Sequence, residues 1–597
     1  MITDKGSSSP HTTFRVSAAQ INTTVGDIDG NTKLIEKWIR RAKAQGADLV
    51  AFPELAVTGY PPEDLVLYDN FITENQDALK RIASSVKDIV VLVGFVDSDS
   101  GEYGTKLYNS AAILHQGSTI TTYRKIHLPN YGVFDERRYF QSGNQCPVVS
   151  INGIKLGINI CEDIWEELGP AEVQSANGAQ LLVNLNSSPY ESEKHNRRID
   201  LVSNLSHRNR AYTLYTNQVG GQDELVFDGG SMLVGPDGEL IGTATRFRET
   251  LLIADINVDD LNKPSRENQS IAWPRRKLEK VGRPVEFKIT LKERKKRPKI
   301  EKLSIEKLSR LEAIYSALVL GTHDYLKKTG FDKVIIAISG GVDSALVATI
   351  AVDAIGSKNV IGVSMPSRYS SDGSISDAQD LCAQLGIDLW SIPIESGHVA
   401  FEEMLSKTFE GTEPGISEEN IQSRIRGNLM MSIANKFGWL VLTTGNKSEI
   451  ATGYATLYGD MAGAYAVIKD VPKTVVYDLC HHRNENNSGS PIPSTIIEKP
   501  PSAELRPGQL DEDSLPPYDQ LDRVIHSYIE QRLPPELIAQ NEQKLGEKGA
   551  SETEVKRIVS MIDLNEYKRR QAPPGVKITG LAFGRDRRLP IASRWKH

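Results

Sequence analysis

The 597-residue chain carries a net charge of −7, with 39% hydrophobic and 25% charged residues. It is too long for a single hydrophobic core and too acidic for a general nucleic-acid binder. Four cysteines, Cys146, Cys161, Cys382 and Cys480, show no Cys-x-x-Cys spacing, which fits a reducing compartment, the cytoplasm by default, better than a disulfide framework or a zinc site.

The polar start, Met1 to Thr13, lacks an apolar h-region and reads as a flexible tail. No later run reaches the roughly 18 apolar residues of a membrane span, so no membrane partner is expected.

From Phe14 to about Val258, short strands alternate with amphipathic helices, the pattern of an α/β layer fold. Asp48 to Phe52 reads as a strand ended by Pro53 and Glu54. Thr119 to Tyr123 reads as another, running into Lys125. A third, Ile154 to Ile160, delivers Cys161 into a polar turn. Strand exits commonly line sites. A glutamate, a lysine and a cysteine, each at one exit, are the parts a thiol amidase needs. Lys125 would favour thiolate and stabilise an oxyanion, and Glu54 would move protons.

Phe52-Pro53-Glu54, Arg124-Lys125-Ile126-His127-Leu128-Pro129 and Cys161-Glu162-Asp163 together resemble the nitrilase, or carbon–nitrogen hydrolase, family. Val219 to Glu224 and Phe227 to Ser231 extend the likeness. The resemblance implies an αββα sandwich over residues 14–258 with Glu54, Lys125 and Cys161 as the catalytic triad. Cys161 would form a thioester as ammonia leaves. Glu136 looks like the family's supporting glutamate, and with Tyr131, Ser188 and Lys194 it would form the L-glutamine site of the amidotransferase branch.

Residues 259–302 lose apolar periodicity and include the basic run Lys292 to Lys299. They are expected to be a linker, since one short run in an acidic chain is a poor nucleic-acid signal. Helical spacing resumes at Leu303 and carries to Tyr325. Val334 to Ile338 then reads as a strand buried on both faces, Ser339-Gly340-Gly341 as a turn free to take positive φ, and Ala345 onward as a helix. Such a turn admits a pyrophosphate to the helix's positive end. It is no Walker loop, because Gly-Lys-Ser/Thr is missing. Further buried strands at 360–366, 387–392 and 439–443 give the doubly wound parallel pattern, and Thr444 to Glu449 should face the same crevice.

Ser339-Gly340-Gly341-Val342-Asp343-Ser344 resembles the signature of the ATP pyrophosphatases. Glu419-Asn420-Ile421-Gln422-Ser423-Arg424, Thr443 to Glu449, Gly453 to Asp460 and Tyr567 to Pro574 narrow the likeness to the NAD synthetases, over residues 303–597. The resemblance implies ATP bound by Ala337, Ile338, Ser339, Gly340, Gly341, Val342, Asp343, Ser344 and Thr444. Deamido-NAD would meet Asn420, Glu449, Tyr454, Leu457 and Lys568, and Asp343 with Glu449 would hold Mg2+. Met461 to Tyr465 departs from the more acidic segment of ammonia-using synthetases.

The Pro- and Ser-rich stretch 488–517 is long enough to expect a lid. Together the two resemblances imply amidation of deamido-NAD through an adenylate, fed by ammonia from glutamine along an internal tunnel, in a homo-oligomer. The alternatives are another glutamine-fed adenylating amidotransferase, or a nucleotide-sensing binding protein with a silent amidase half.

Overall fold

The computed structural model describes residues 13–101, 104–257, 273–292, 294, 296–486 and 489–593. Residues 1–12 of the expected tail and 259–272 of the expected linker lie outside the described residues, and Thr13 already belongs to a strand. The chain divides into two compact units, one of residues 1–222 and 227–307, the other of residues 223–226 and 308–597.

The amino-terminal half begins with β1 (Thr13–Gln20), β2 (Leu49–Ala51), β3 (Val90–Gly101), β4 (Gly104–His115) and β5 (Ser118–Arg124). Next come β6 (Gln145–Ile151), β7 (Ile154–Ile160), β8 (Leu181–Asn186), β9 (Tyr212–Asn217) and β10 (Val219–Gln222). β11 (Leu225–Asp228), β12 (Met232–Val234), β13 (Leu240–Thr243), β14 (Thr250–Asn257) and β15 (Arg283–Ile289) complete the set. They form a six-stranded sheet, β14-β1-β2-β3-β4-β5, a seven-stranded sheet, β13-β12-β9-β8-β7-β6-β15, and a two-stranded sheet, β10-β11.

Val16, Leu92 and Ile113 of the first sheet share one core with Ile158, Val183 and Leu214 of the second. Helices Ile28–Ala44 and Asp69–Ser85 cover the outer face of one sheet, and Pro170–Ala176 and Lys194–Asn209 that of the other. The result is the four-layer αββα sandwich. Leu49 to Ala51 are fully buried between parallel partners β1 and β3, which is why this run is uniformly apolar.

Two expectations about the linker change. Arg283–Ile289 is strand β15, parallel to β6 from Arg283↔Gln145 to Ile289↔Ile151. Its charged residues alternate along an edge strand, which a search for apolar runs passes over. The helix expected from Leu303 begins instead at Arg310, where the Ser309 side chain caps the Glu312 N–H. Residues 303–306 stay with the first unit: Ser304 C=O accepts from Thr243 N–H at 2.9 Å, and the Glu306 carboxylate from Arg246 N–H at 2.7 Å.

In the second unit, β16 (Val334–Ala337), β17 (Val360–Ser364), β18 (Asp388–Ser391), β19 (Leu440–Thr443) and β20 (Tyr465–Ala466) form a sheet ordered β18-β17-β16-β19-β20, with every pair parallel. The order reverses between β16 and β19, so the turns after these two strands open onto one crevice. The stretch expected as a long loop contains helix Ser494–Glu498 and a short helical turn, Asp511–Asp513. Among the described residues no helix is long and apolar enough to cross a membrane.

Candidate active sites

β7 runs directly into Cys161, which opens a short helical turn with φ of 41°. A side chain in this left-handed region is strained and persists only where its surroundings impose it. Asp163 imposes it: its carboxylate accepts the Ile160 N–H at 2.8 Å and the Tyr123 hydroxyl at 2.6 Å. The same carboxylate takes the His127 N–H at 2.9 Å, so one buried side chain ties the cysteine turn to the exit of β5.

Lys125, at that exit, is fully buried, with its ammonium 2.7 Å from Glu54 and 2.8 Å from Glu136. The Asn109 amide from β4 donates to the same two carboxylates, at 2.7 Å and 3.3 Å. The Ser187 N–H donates to the other Glu54 oxygen at 3.0 Å, and the Tyr60 hydroxyl to Glu136 at 3.1 Å. The turn that carries Glu54 presses so closely on β3 that a Cβ at Gly94 would meet Leu55 N at 2.3 Å.

Burial pulls the Lys125 ammonium down, but the charges of Glu136 and Glu54 outweigh it and hold it above the usual lysine range. Burial pushes the Glu136 carboxyl up to about 7; Lys125 opposes the rise and Glu54 adds to it. Burial and the Glu54 charge push the Cys161 thiol well up, against the pull of Lys125. Lys125 thus acts in the direction the sequence implied without making a resting thiolate. Among the charged neighbours of this thiol, Glu54 acts on it most strongly.

Around this cluster, the Tyr131 hydroxyl donates at 2.9 Å to Glu162, the residue after Cys161. Lys194 opens its helix with its ammonium 6.0 Å from the Trp165 ring centre. Ser188 is buried, its N–H on the Asn217 side chain at 2.9 Å and its C=O on the Asn217 amide at 3.3 Å.

In the second unit, Ala337 ends β16 and Ile338 leads into the turn. Gly340 takes φ of 77°, and helix Val342–Ile355 starts after Gly341. The turn braces itself: Ser344 Oγ donates to Gly341 C=O at 2.9 Å, and Gly341 N–H donates to Ser339 Oγ at 3.3 Å. Thr444 follows β19, and the next residues cap helix Lys447–Thr452 through Asn446. Asn446 also donates to Asp343 at 2.8 Å, which joins the two strand exits.

Lys473 lies between the Asp343 and Glu449 carboxylates, 3.3 Å from the latter. Burial pushes Glu449 up to about 8, with Lys473 pulling down and Asp343 pushing up. Two carboxylates already sharing one cation fit Mg2+, which takes one or two carboxylates and completes its shell with phosphate oxygens. Among the described residues no group of three or more His, Cys, Asp or Glu side chains could hold a metal.

The residues expected at deamido-NAD also gather. Lys568 donates to the carbonyls of Gly453 at 2.7 Å and Ala455 at 3.0 Å, Asn420 accepts from Thr456 Oγ1 at 2.7 Å, and Arg424 reaches Leu457 C=O at 3.3 Å. Tyr454 N–H donates to Glu449 C=O at 2.9 Å, so this segment follows directly from Glu449.

The Carbon-nitrogen hydrolase family profile matches residues 15–263 and the NAD synthase profile residues 314–572. A glutamine-dependent NAD(+) synthetase of Thermotoga maritima is 47% identical over 98% of this chain and 99% of its own. The chain belongs to the glutamine-dependent NAD(+) synthetases. The Aquifex aeolicus synthetase is 42% identical over 98% of this chain and its own full length. A solved synthetase from Acinetobacter baumannii, in complex with ADP, shares 39% identity, covers 98% of this chain and 99% of its own, and superposes with a TM-score of 0.72.

Sequence reasoning missed Asn109, Ser187, Asn217 and Lys473 in this synthetase. Lys473 follows Pro472 at the start of a helix and reads as a solvated cation until its two carboxylate partners are seen. Asp163 was within reach, since it stands in the Cys161-Glu162-Asp163 motif.

Proposed function

We propose that the protein converts deamido-NAD to NAD at the expense of ATP, with L-glutamine as nitrogen donor. The observation that carries this reading is the buried Glu54–Lys125–Glu136 cluster beside a cysteine held on a strained turn. In the first unit, Cys161 Sγ attacks the glutamine carboxamide carbon while Glu54 takes the thiol proton. Glu54 then returns it to the departing nitrogen, leaving a thioester and free ammonia. Lys125 supplies positive charge where the carbonyl oxygen becomes negative, and water, deprotonated by Glu54, cleaves the thioester to glutamate as Glu54 passes the proton to the departing Cys161 sulfur. Tyr131, Ser188, Lys194 and Glu136 orient glutamine and the triad.

In the second unit, the Ser339–Ser344 turn and Thr444 hold ATP, and Asn420, Glu449, Tyr454, Leu457 and Lys568 hold deamido-NAD. The nicotinate carboxylate attacks the α-phosphorus and pyrophosphate leaves, giving an acyl-adenylate whose leaving group is AMP. Ammonia then displaces AMP to form the carboxamide. Asp343 and Glu449 would hold Mg2+, which supplies charge neutralisation on the phosphates.

Protonated ammonium cannot attack, so the nitrogen has to pass between the reactions as free base through a protein passage. A homo-oligomer in the cytoplasm completes the reading, which the family resemblance supports.

Cys161→Ala decides between this reading and a different nitrogen route. NAD formation with glutamine as sole donor should vanish while formation from ammonium continues. Glutamine-fed synthesis at the normal rate would dispose of the assignment.

A further inference from the structure

Lys499 stands in the segment after helix Ser494–Glu498, outside every motif used above. Its ammonium meets three acceptors: Gly340 C=O at 3.2 Å, Ser374 Oγ at 3.1 Å and the Asp377 carboxylate at 2.5 Å. Nearby, Glu504 fastens the same segment to the start of helix Asp372–Leu385, accepting from Ser374 Oγ at 2.7 Å and Ser371 Oγ at 2.8 Å. Gly340 is wedged against that helix as well, for a Cβ there would meet Ser374 O at 2.3 Å.

The bond to Gly340 C=O matters because a trans peptide points its C=O and N–H in opposite directions. Fixing the Gly340 carbonyl on Lys499 therefore aims the Gly341 N–H the other way, where it now rests on Ser339 Oγ on the exposed side of the turn. A peptide between two glycines has the backbone freedom to turn over. Turned over, it would offer an incoming phosphate a carbonyl oxygen in place of a donor, and a repulsion in place of a hydrogen bond.

We propose that Lys499 is a positioning residue for the nucleotide turn, holding the Gly340–Gly341 peptide in the one orientation that presents the Gly341 N–H to the phosphates of ATP. The proposal rests on the reading that Ser339–Ser344 binds ATP. Asp377 serves it only as a counter-charge; the working contact is the carbonyl.

The test is steady-state NAD formation by the full chain with ammonium as nitrogen donor, varying ATP. Lys499→Met should lower kcat/KM for ATP by about tenfold or more, the scale of a charge-assisted hydrogen bond. The loss should lie chiefly in KM, with the glutaminase rate and KM for deamido-NAD unchanged. Asp377→Asn, which spares the carbonyl contact, should change kcat/KM for ATP less than about threefold.

A change below about threefold in Lys499→Met, or an equal loss in Asp377→Asn, would overturn the proposal. Should Lys499→Met fail to fold, Lys499→Cys alkylated with 2-bromoethylamine rebuilds an ammonium of lysine length. It should regain most of the ATP affinity lost in Lys499→Cys, and no regain overturns the role. The remaining cysteines are buried, and with ammonium as donor any alkylation of Cys161 is silent. Asp343→Asn separates the two layers of the argument. If it leaves kcat/KM for ATP untouched, the turn does not bind ATP; if it lowers it while Lys499→Met does not, only the positioning role falls.

Discussion

Glu136→Gln tests whether the second glutamate shapes the basicity of the first. Both carboxylates sit on the Lys125 ammonium, at 2.7 Å and 2.8 Å, so their charges act on each other across one nitrogen. Oxygens held that way are about 5 Å apart, where two unit charges at an effective dielectric of about 20 repel by about 3 kcal/mol. Gln keeps an oxygen for Lys125 and for Tyr60 but removes that charge. Losing a repulsion of that size beside the carboxylate that takes the thiol proton, with about half of it felt in the rate of proton transfer, should slow glutamate release about tenfold.

The pH profile carries the sharper reading. Glu136 titrates near 7 because burial disfavours its anion. As pH falls through that value it takes up a proton, the negative charge beside Glu54 is lost, and wild-type kcat/KM for glutamine should fall. In Glu136→Gln the group is neutral throughout, so the lowered rate should show no inflection near 7. Measured from about pH 5.5 to 9 with ammonium-fed NAD formation as the folding control, an inflection that survives in the variant would refute this assignment, as would an unchanged plateau.

Asn109→Leu removes the amide that reaches both carboxylates. The loss of a hydrogen bond to a charged group, about 1.5–3 kcal/mol, should cut glutaminase kcat/KM tenfold or more and leave ammonium-fed synthesis intact; a glutaminase loss under about twofold would show that Lys125 alone fixes the pair. For the passage of ammonia, 15N-ammonium mixed with unlabelled glutamine should leave the NAD formed from glutamine largely unlabelled, and complete equilibration of the label would rule out channelling.

What could be read in the chain, and what could not, follows from where each group gets its neighbours. Glu54, Lys125 and Cys161 lie just beyond strand ends; β2 and β7 are buried, largely apolar runs, and a polar residue after such a run is visible in one dimension. The Ser339–Ser344 turn is likewise local, its strand, glycines and helix being consecutive. Asn109 is different. It lies inside β4 opposite Val96 and looks like one polar position on a strand, and only the approach of the Glu54 and Glu136 turns makes it a ligand of two carboxylates. β15 and the true start of helix Arg310–Thr329 were hidden for the related reason that an edge strand and an extended segment draw their stability from partners far away in sequence.

Electrostatics supplies the missing constraint. A lysine with no exposure cannot stand alone, because the cost of removing its charge from water is several kcal/mol unless counter-charges and hydrogen bonds repay it. Once Lys125 and Lys473 are placed at buried strand exits or helix starts, each therefore requires acidic partners. The partners each one finds, Glu54 with Glu136 and Asp343 with Glu449, are the carboxylates the proposed chemistry uses. The same charges that make these sites reactive are thus what permit their ions to be buried, and neutralising either lysine should disturb function and folding together in its own unit.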